Sequence, residues 1–288
     1  MKIGAMVESF RLDFEGGIKA AASLGVDGVQ AYATNGELAY DQMTADKIKW
    51  ALDVVKSNGL VFSAICGDFG VGFGRGEAED AETVEKSKRV MDLAKKLECN
   101  VVTTHIGTVP REECALKEQM RRACRELALY ADSIGSAFAV ETGPEMAEIL
   151  CDFLDSLGAG GVRVNFDPAN LVMVAGDRPE TAVKTLGRYI VHTHAKDGIK
   201  LGAPRAFDPG ITVGKEAVDH EQLMGMGRTY LELPLGEGDV NFDLYLPALS
   251  STGFDGFLTI EREVGKDPVA DISLAVKFLK EKKEKFGI

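Results

Sequence analysis

The 288-residue chain has no N-x-S/T glycosylation acceptor, no C-x-x-C pair, and no uncharged apolar run near the roughly 18 to 20 residues that cross a bilayer. A membrane-spanning helix is therefore excluded as an expectation. Basic residues are the scarcer sign: 33 Lys plus Arg face 45 Asp plus Glu, a formal net charge of -12. That surplus repels a phosphate backbone and disfavours nucleic acid as a partner. The N-terminal stretch reaches Glu8 without a basic region or an apolar core of signal length, so a cytoplasmic protein is expected. Cysteines number five (Cys66, Cys99, Cys114, Cys124, Cys151), an odd count that suits reduced core thiols rather than a disulfide framework. Prolines are nine and scattered, and no Pro/Ser-rich linker divides the chain. Nucleotide and acyl-transfer motifs are also missing. The glycine run Gly70 to Gly76 holds no G-x-G-x-x-G frame, no phosphate-loop lysine pattern occurs, and no G-x-S-x-G elbow is present.

What the chain does have is one alternation. Short β-branched runs are followed by amphipathic segments rich in Ala, Glu, Lys and Leu. Strands are expected at Lys2 to Glu8, Gly28 to Tyr32, Leu60 to Cys66, Val101 to His105, Ala137 to Glu141, Val162 to Asp167, Tyr189 to Lys196 and Gly256 to Glu261. Helices fall between them, at Phe14 to Leu24, Ala45 to Asn58, Ala81 to Leu97, Arg111 to Ser133, Glu145 to Leu157, Pro179 to Leu186, Phe242 to Ser250 and Pro268 to Phe286. Eight strand–helix units in this length predict an α/β fold, a single (β/α)8 TIM barrel formed by residues 1–288. The stretch 197–241 is too long for an ordinary connection and is expected to be a βα loop that contributes to the site. The glycine run after strand 3 reads as a mobile loop over the same mouth, and His220 as a solvated residue of the long loop.

Strand parity locates that site. In a barrel, side chains alternate between the interior and the helix layer, and chemistry collects at the C-terminal strand ends. Phe138 and Val140 suit the helix layer, which turns Glu141 inward; by the same rule Asp167, His194 and Glu261 end their strands on the inner face. His192 shares the parity of His194, about 6.6 Å deeper, and reads either as a hydrogen-bonded interior histidine or as a substrate contact. His105 reaches the same mouth from strand 4. Alone, Glu141 could cap a helix and Asp167 could form a turn before Pro168. Together, three convergent carboxylates repel one another unless a cation sits between them. Three oxygens and one imidazole suit one divalent ion, with Mn²⁺ the first expectation and Mg²⁺, Co²⁺ or Zn²⁺ compatible.

Val-Glu141-Thr, Asn-Phe-Asp167-Pro-Ala-Asn170, Val-His-Thr-His194-Ala-Lys-Asp197, Gly-Glu237-Gly-Asp and Leu-Thr-Ile-Glu261-Arg-Glu resemble the sugar phosphate isomerase/epimerase family of xylose-isomerase-like barrels. The resemblance implies a metal held by Glu141, Asp167, His194 and Glu261, and a sugar or sugar phosphate substrate. Substrate contacts are then expected from His105, Asn170, His192, Lys196 and Glu237. Many relatives carry D-x-x-H where this chain has Asn170. The implied chemistry is isomerisation or epimerisation through a metal-stabilised enediolate, with Glu141 and Glu261 as the acid/base pair. Alternatives are a dehydratase of the same fold, of inosose or dehydroshikimate type, a non-catalytic sugar-binding barrel, and a three-zinc endonuclease disfavoured by four histidines and the charge. The sequence leaves self-association open.

Overall fold

The computed structural model describes residues 1–202, 224 and 226–288. Eight parallel strands close on themselves in the order β1 (Lys2–Met6), β2 (Gly28–Tyr32), β3 (Val61–Cys66), β4 (Val101–Thr104), β5 (Ala137–Glu141), β6 (Val162–Phe166), β7 (Ile190–Ala195) and β10 (Phe257–Ile260), which pairs back onto β1 through Lys2↔Phe257. This is the expected (β/α)8 barrel. The outer helices are α1 (Phe14–Leu24), α2 (Ala45–Ser57), α3 (Glu77–Lys96), α4 (Ala115–Ile134), α5 (Ala147–Ser156), α6 (Pro179–Leu186), α7 (Phe242–Ser251) and α8 (Pro268–Phe286). Their starts follow from local chemistry: Asp13, Thr44 and Asp267 each accept a backbone N–H of the first turn, at Gly16, Lys47 and Ala270. None of the helices described is long and apolar enough to cross a membrane.

Apolar side chains of alternate strand positions fill the layer between strands and helices, with Phe138, Val140, Val164, Phe166, Leu258 and Ile260 all buried there. Phe166 stacks on Tyr245 of α7 at 5.6 Å. The barrel interior is different. Instead of stacked branched apolar residues, the usual filling, a polar chain crosses it beneath the mouth. Thr259 Oγ1 lies 3.5 Å from Ser63 Oγ and 2.9 Å from His192 Nε2, and His192 Nδ1 lies 2.9 Å from Asn165 Oδ1. Asn165 Nδ2 then donates to Glu141 Oε2 at 3.1 Å. Every member is buried, so each group needs the next as its hydrogen-bond partner.

Several boundaries depart from the expected ones. β1 stops at Met6 because Glu8–Phe10 form a 3-10 turn, and the Glu8 carboxylate accepts the Tyr32 N–H. α5 starts at Ala147, not at Glu145, whose Oε2 accepts the Val109 N–H at 3.0 Å. The 197–241 segment is not wholly irregular. It holds an antiparallel pair, β8 (Asp197–Lys200) with β9 (Tyr230–Leu233), packed on its own small cluster of Ile199, Leu201 and Leu233. The expected solvated His220 lies outside the described residues. The Gly70–Gly76 run is tied down: Phe73 is buried and donates its N–H to Ile106 O, and Gly74 N–H is held by both oxygens of Asp80. Four cysteines are buried free thiols, whereas Cys114, at the start of α4, is exposed and so not part of the core.

Candidate metal centre and its cavity

Glu141 ends β5, Asp167 follows β6, His194 lies in β7 and Glu261 follows β10, so four strand ends bring their side chains to one point. One ligand atom from each lies within 4.8 Å of all the others, and all four residues are buried. His194 Nδ1 is 3.2 Å from Glu261 Oε2 and 3.6 Å from both Glu141 Oε2 and Asp167 Oδ2. Two of these atoms, Asp167 Oδ2 and His194 Nδ1, are buried without a hydrogen-bond partner. Orphaned buried acceptors are costly, about 1–3 kcal/mol each, and a cation bound between them removes that cost.

The surroundings aim the ligands. Asp167 Oδ1 accepts Ala169 N–H at 2.7 Å and Asn170 N–H at 3.0 Å, capping the helical turn Pro168–Asn170, while Oδ2 is left facing the cluster. The turn-forming and ligand readings of Asp167 are thus satisfied together, one oxygen for each. His194 Nε2 lies 3.2 Å from Gln30 Oε1, and Gln30 Nε2 donates to Thr103 Oγ1. Asn165 Nδ2 lies 3.3 Å from His194 Nε2; in the tautomer with the proton on Nε2, toward Gln30, the Nδ1 lone pair is free for a metal. Glu141 Oε1 accepts Asn170 Nδ2 at 2.7 Å. Gly143 (φ +137) makes that contact feasible, because a Cβ there would collide with the Asn170 side chain.

Charge on the cluster follows its neighbours. Burial raises the Asp167 carboxyl above its ordinary range. Burial acts the same way on Glu141 and Glu261, but for Glu141 His194 and His105 outweigh it and hold the carboxyl well down, and for Glu261 Lys196 and His194 bring it to about 2. His194 is lifted well above an ordinary imidazole by Glu261 and Glu141 against the pull of burial. These are the signs of a site crowded with negative charge.

A cavity of about 230 Å³ opens above the cluster, lined by Gln30, Tyr32, Asp68, His105, Asn170, Lys196, Tyr230 and Glu263 in addition to Glu141, His194 and Glu261. Of the expected substrate contacts, His105, Asn170 and Lys196 line it. His105 projects from just beyond β4, with Nδ1 2.9 Å from Asp68 Oδ2 and Nε2 3.5 Å from Glu141 Oε1. Glu141, opposed by burial and assisted by Asp68, pushes that imidazole up to about 11. Lys196 Nζ donates to Glu261 Oε2 at 2.9 Å and Glu263 Oε2 at 2.7 Å.

His192 and Glu237 are placed elsewhere. His192 is buried in the polar chain below the cluster, where burial and His194 hold it neutral, and it is not among the residues lining the cavity. Glu237 is also absent from that lining; its turn instead wraps Asp197, whose carboxylate accepts N–H groups from Gly198, Gly236, Gly238 and Val240 at 2.8 to 3.1 Å. Sequence reasoning missed Gln30, Asp68, Tyr230 and Glu263. Gln30 carried a signal, a lone amide in the middle of an apolar parallel strand; Tyr230 and Glu263 carried none.

A buried carboxylate–imidazole cluster that could hold a metal ion thus sits at the C-terminal mouth of a closed parallel barrel. The family model described as Xylose isomerase-like TIM barrel matches residues 18–282, and the chain belongs to that family. Among solved structures, the xylose isomerase domain protein of Planctomyces limnophilus is 25% identical, covering 99% of this chain and 98% of its own, at a TM-score of 0.77. The probable 3-DHS dehydratase AsbF of Bacillus anthracis is 19% identical over 97% of this chain and 99% of its own, at 0.71. A D-tagatose 3-epimerase-like protein is 19% identical over 99% of each chain, at 0.72. No curated protein sequence matches the chain.

Proposed function

We propose that the chain is a metal-dependent sugar isomerase or epimerase that moves a proton at a carbon next to a carbonyl. The observation that carries this reading is the cluster itself: four buried donors with Asp167 Oδ2 and His194 Nδ1 unpartnered, beneath a cavity of monosaccharide size. The donor set fits one divalent cation held by Glu141, Asp167, His194 and Glu261, with Mn²⁺, Mg²⁺, Co²⁺ or Zn²⁺ all compatible with its chemistry. When bound, such a cation supplies Lewis acidity to a carbonyl and its neighbouring hydroxyl.

This chain's own groups supply the rest. Glu141 and Glu261 approach from β5 and β10, and each has a cationic neighbour at the cavity wall, His105 for one and Lys196 for the other. One carboxylate takes the proton and the other returns it, while Lys196 and His105 hold the oxygens that gain and lose charge. Tyr230 of β9 lines the cavity, which supports a contribution of the β8–β9 pair to the site. A metal-replete screen of ketoses and inososes in D₂O, with NMR detection of exchanged C–H, tests the reading; absence of exchange in every compound bound would sink it.

A second reading is supported by Asp68 and His105. An imidazolium held by a carboxylate and facing the cavity can protonate a departing hydroxyl, which is dehydratase chemistry. Release of water, rather than stereochemical change, distinguishes that outcome in the same screen.

A further inference from the structure

Beneath the four convergent donors the middle layer of the barrel interior is polar. Asn165 lies two residues before Asp167, His192 two before His194 and Thr259 two before Glu261, so strand alternation puts all three on the inward face one step below the cluster. All three are buried. An aliphatic filling at this level would need no partners, whereas each of these groups is unsatisfied unless the next is in place.

The links follow a fixed order. Asn165 Nδ2 donates to Glu141 Oε2 at 3.1 Å, since an amide oxygen on that side would face a carboxylate, which only accepts. Asn165 Oδ1 is thereby turned to His192 Nδ1 at 2.9 Å and accepts the N–H there. His192 Nε2 meets the Thr259 hydroxyl at 2.9 Å, a group that can donate or accept and so satisfies the ring in either protonation state. The amide of Asn165 also reaches a second donor of the cluster, with Nδ2 3.3 Å from His194 Nε2.

Two further features show that the chain has room and a purpose. Gly4, which pairs with Thr259 across β1 and β10, leaves the space for the hydroxyl: a Cβ there would come within 2.7 Å of Thr259 Oγ1. Asn170 Nδ2 donates to the other Glu141 oxygen at 2.7 Å. Each oxygen of Glu141 thus carries an amide donor, which fixes the plane of the carboxylate.

We infer that Asn165, His192 and Thr259 are positioning residues, a buried hydrogen-bond chain that holds Glu141 in register with Asp167 and His194 and so sets how tightly the cluster takes a divalent cation. The cation rests on the reading of the cluster as a metal centre; the coupling of the three residues rests on their geometry alone.

Calorimetric titration of Mn²⁺ into the full metal-free chain tests this, under conditions where urea unfolding shows each variant fully folded. Asn165→Leu keeps the size of the side chain and removes the amide, and Mn²⁺ should bind about 10- to 100-fold more weakly. The Thr259 hydroxyl meets none of the four donors, yet Thr259→Val should weaken binding by at least about threefold, a fraction of the same effect passed along the chain. Thr259→Ser keeps the hydroxyl and should bind as the wild type does. A chain already broken at Asn165 has nothing left to transmit, so the double variant Asn165→Leu with Thr259→Val should bind no more weakly than Asn165→Leu alone. If Asn165→Leu fails to fold, Thr259→Val against Thr259→Ser decides. Wild-type affinity in Thr259→Val, equal losses in Thr259→Val and Thr259→Ser, or losses that add in the double variant overturn the inference. Mn²⁺ binding by the wild type that no variant alters removes the positioning chain and leaves the metal centre intact. A wild type that takes up none of Mn²⁺, Mg²⁺, Co²⁺ or Zn²⁺ removes the metal centre and the inference with it.

Discussion

Asp167 Oδ2 and His194 Nδ1 stand 3.6 Å apart, both buried and both without a hydrogen-bond partner. Neither atom is spare in the local architecture: the other Asp167 oxygen caps a helical turn, and His194 Nε2 meets Gln30. The pair is therefore aimed at something both can ligate, and the nearby oxygens of Glu141 and Glu261 complete the set.

One divalent metal per chain is the expected stoichiometry, measured by elemental analysis of protein purified without chelator. Saturating metal should raise the unfolding midpoint, because a ligand at a hundred times its Kd adds about 2.7 kcal/mol. Asp167→Ala and His194→Ala should lose both the metal and the shift. Full occupancy in the double variant would place the metal elsewhere.

His105 should serve substrate rather than metal, since Asp68 occupies its Nδ1 and its Nε2 is 3.5 Å from the nearest Glu141 oxygen. His105→Ala is expected to retain metal while kcat/KM falls by about 2–3 kcal/mol, the scale of a lost buried polar contact. Asp68→Asn should act more gently and more specifically. Glu141 first, then Asp68, hold His105 protonated up to about 11; removing the Asp68 charge lowers that value, so the alkaline limb of kcat/KM should move to lower pH. Loss of metal in His105→Ala would join this residue to the coordination shell instead.

The barrel and the four residues that converge at its mouth were legible in the sequence because both rest on periodicities the chain cannot escape. Burying Phe138 and Val140 on the helix side leaves Glu141 only the inner face, and one rule of alternation served for Asp167, His194 and Glu261 alike. Parity says which way a side chain points, not how deep it sits. His192 shares the face of His194 but lies one layer lower, where Asn165 and Thr259 consume both ring nitrogens. Loops have no such periodicity. Glu263 lines the cavity with its carboxylate on Lys196 Nζ, and the Gly236–Asp239 turn folds around Asp197, a residue far from it in sequence. Glu145 mimicked a helix start, yet its carboxylate was taken by Val109.

Asp197 should be a positioning residue for the cavity edge. Its carboxylate holds four backbone N–H groups that fasten the Gly236–Val240 turn to the start of β8. Gly238 lies so close to that carboxylate that a Cβ would overlap it. Asp197→Ala orphans several of those donors at about 1–3 kcal/mol each, so a loss of about 3 kcal/mol or more is expected in urea unfolding. Asp197→Asn keeps one acceptor oxygen and should fall between. Limited proteolysis should cut the turn first in the Ala variant; an unchanged cleavage pattern would mean the turn is held by other contacts.

Glu145 gives the chain a pH dependence of stability that can be isolated by one substitution. Burial raises its carboxyl to about 7, against an unfolded value of 4.5, and the opposing pull of the Val109 N–H is too weak to cancel it. Between those two pH values the native state keeps a proton that the unfolded chain has released. Stability from this group is therefore complete below pH 4.5 and is lost as pH rises through 7, by up to about 3 kcal/mol. Glu145→Gln removes the titration and keeps an oxygen for Val109. The variant should match the wild type near pH 4.5 and exceed it near pH 8, which urea unfolding at the two pH values measures. Parallel stability profiles for the two proteins would show that Glu145 ionises as freely when folded as when unfolded, and would remove burial as the controlling influence at this position.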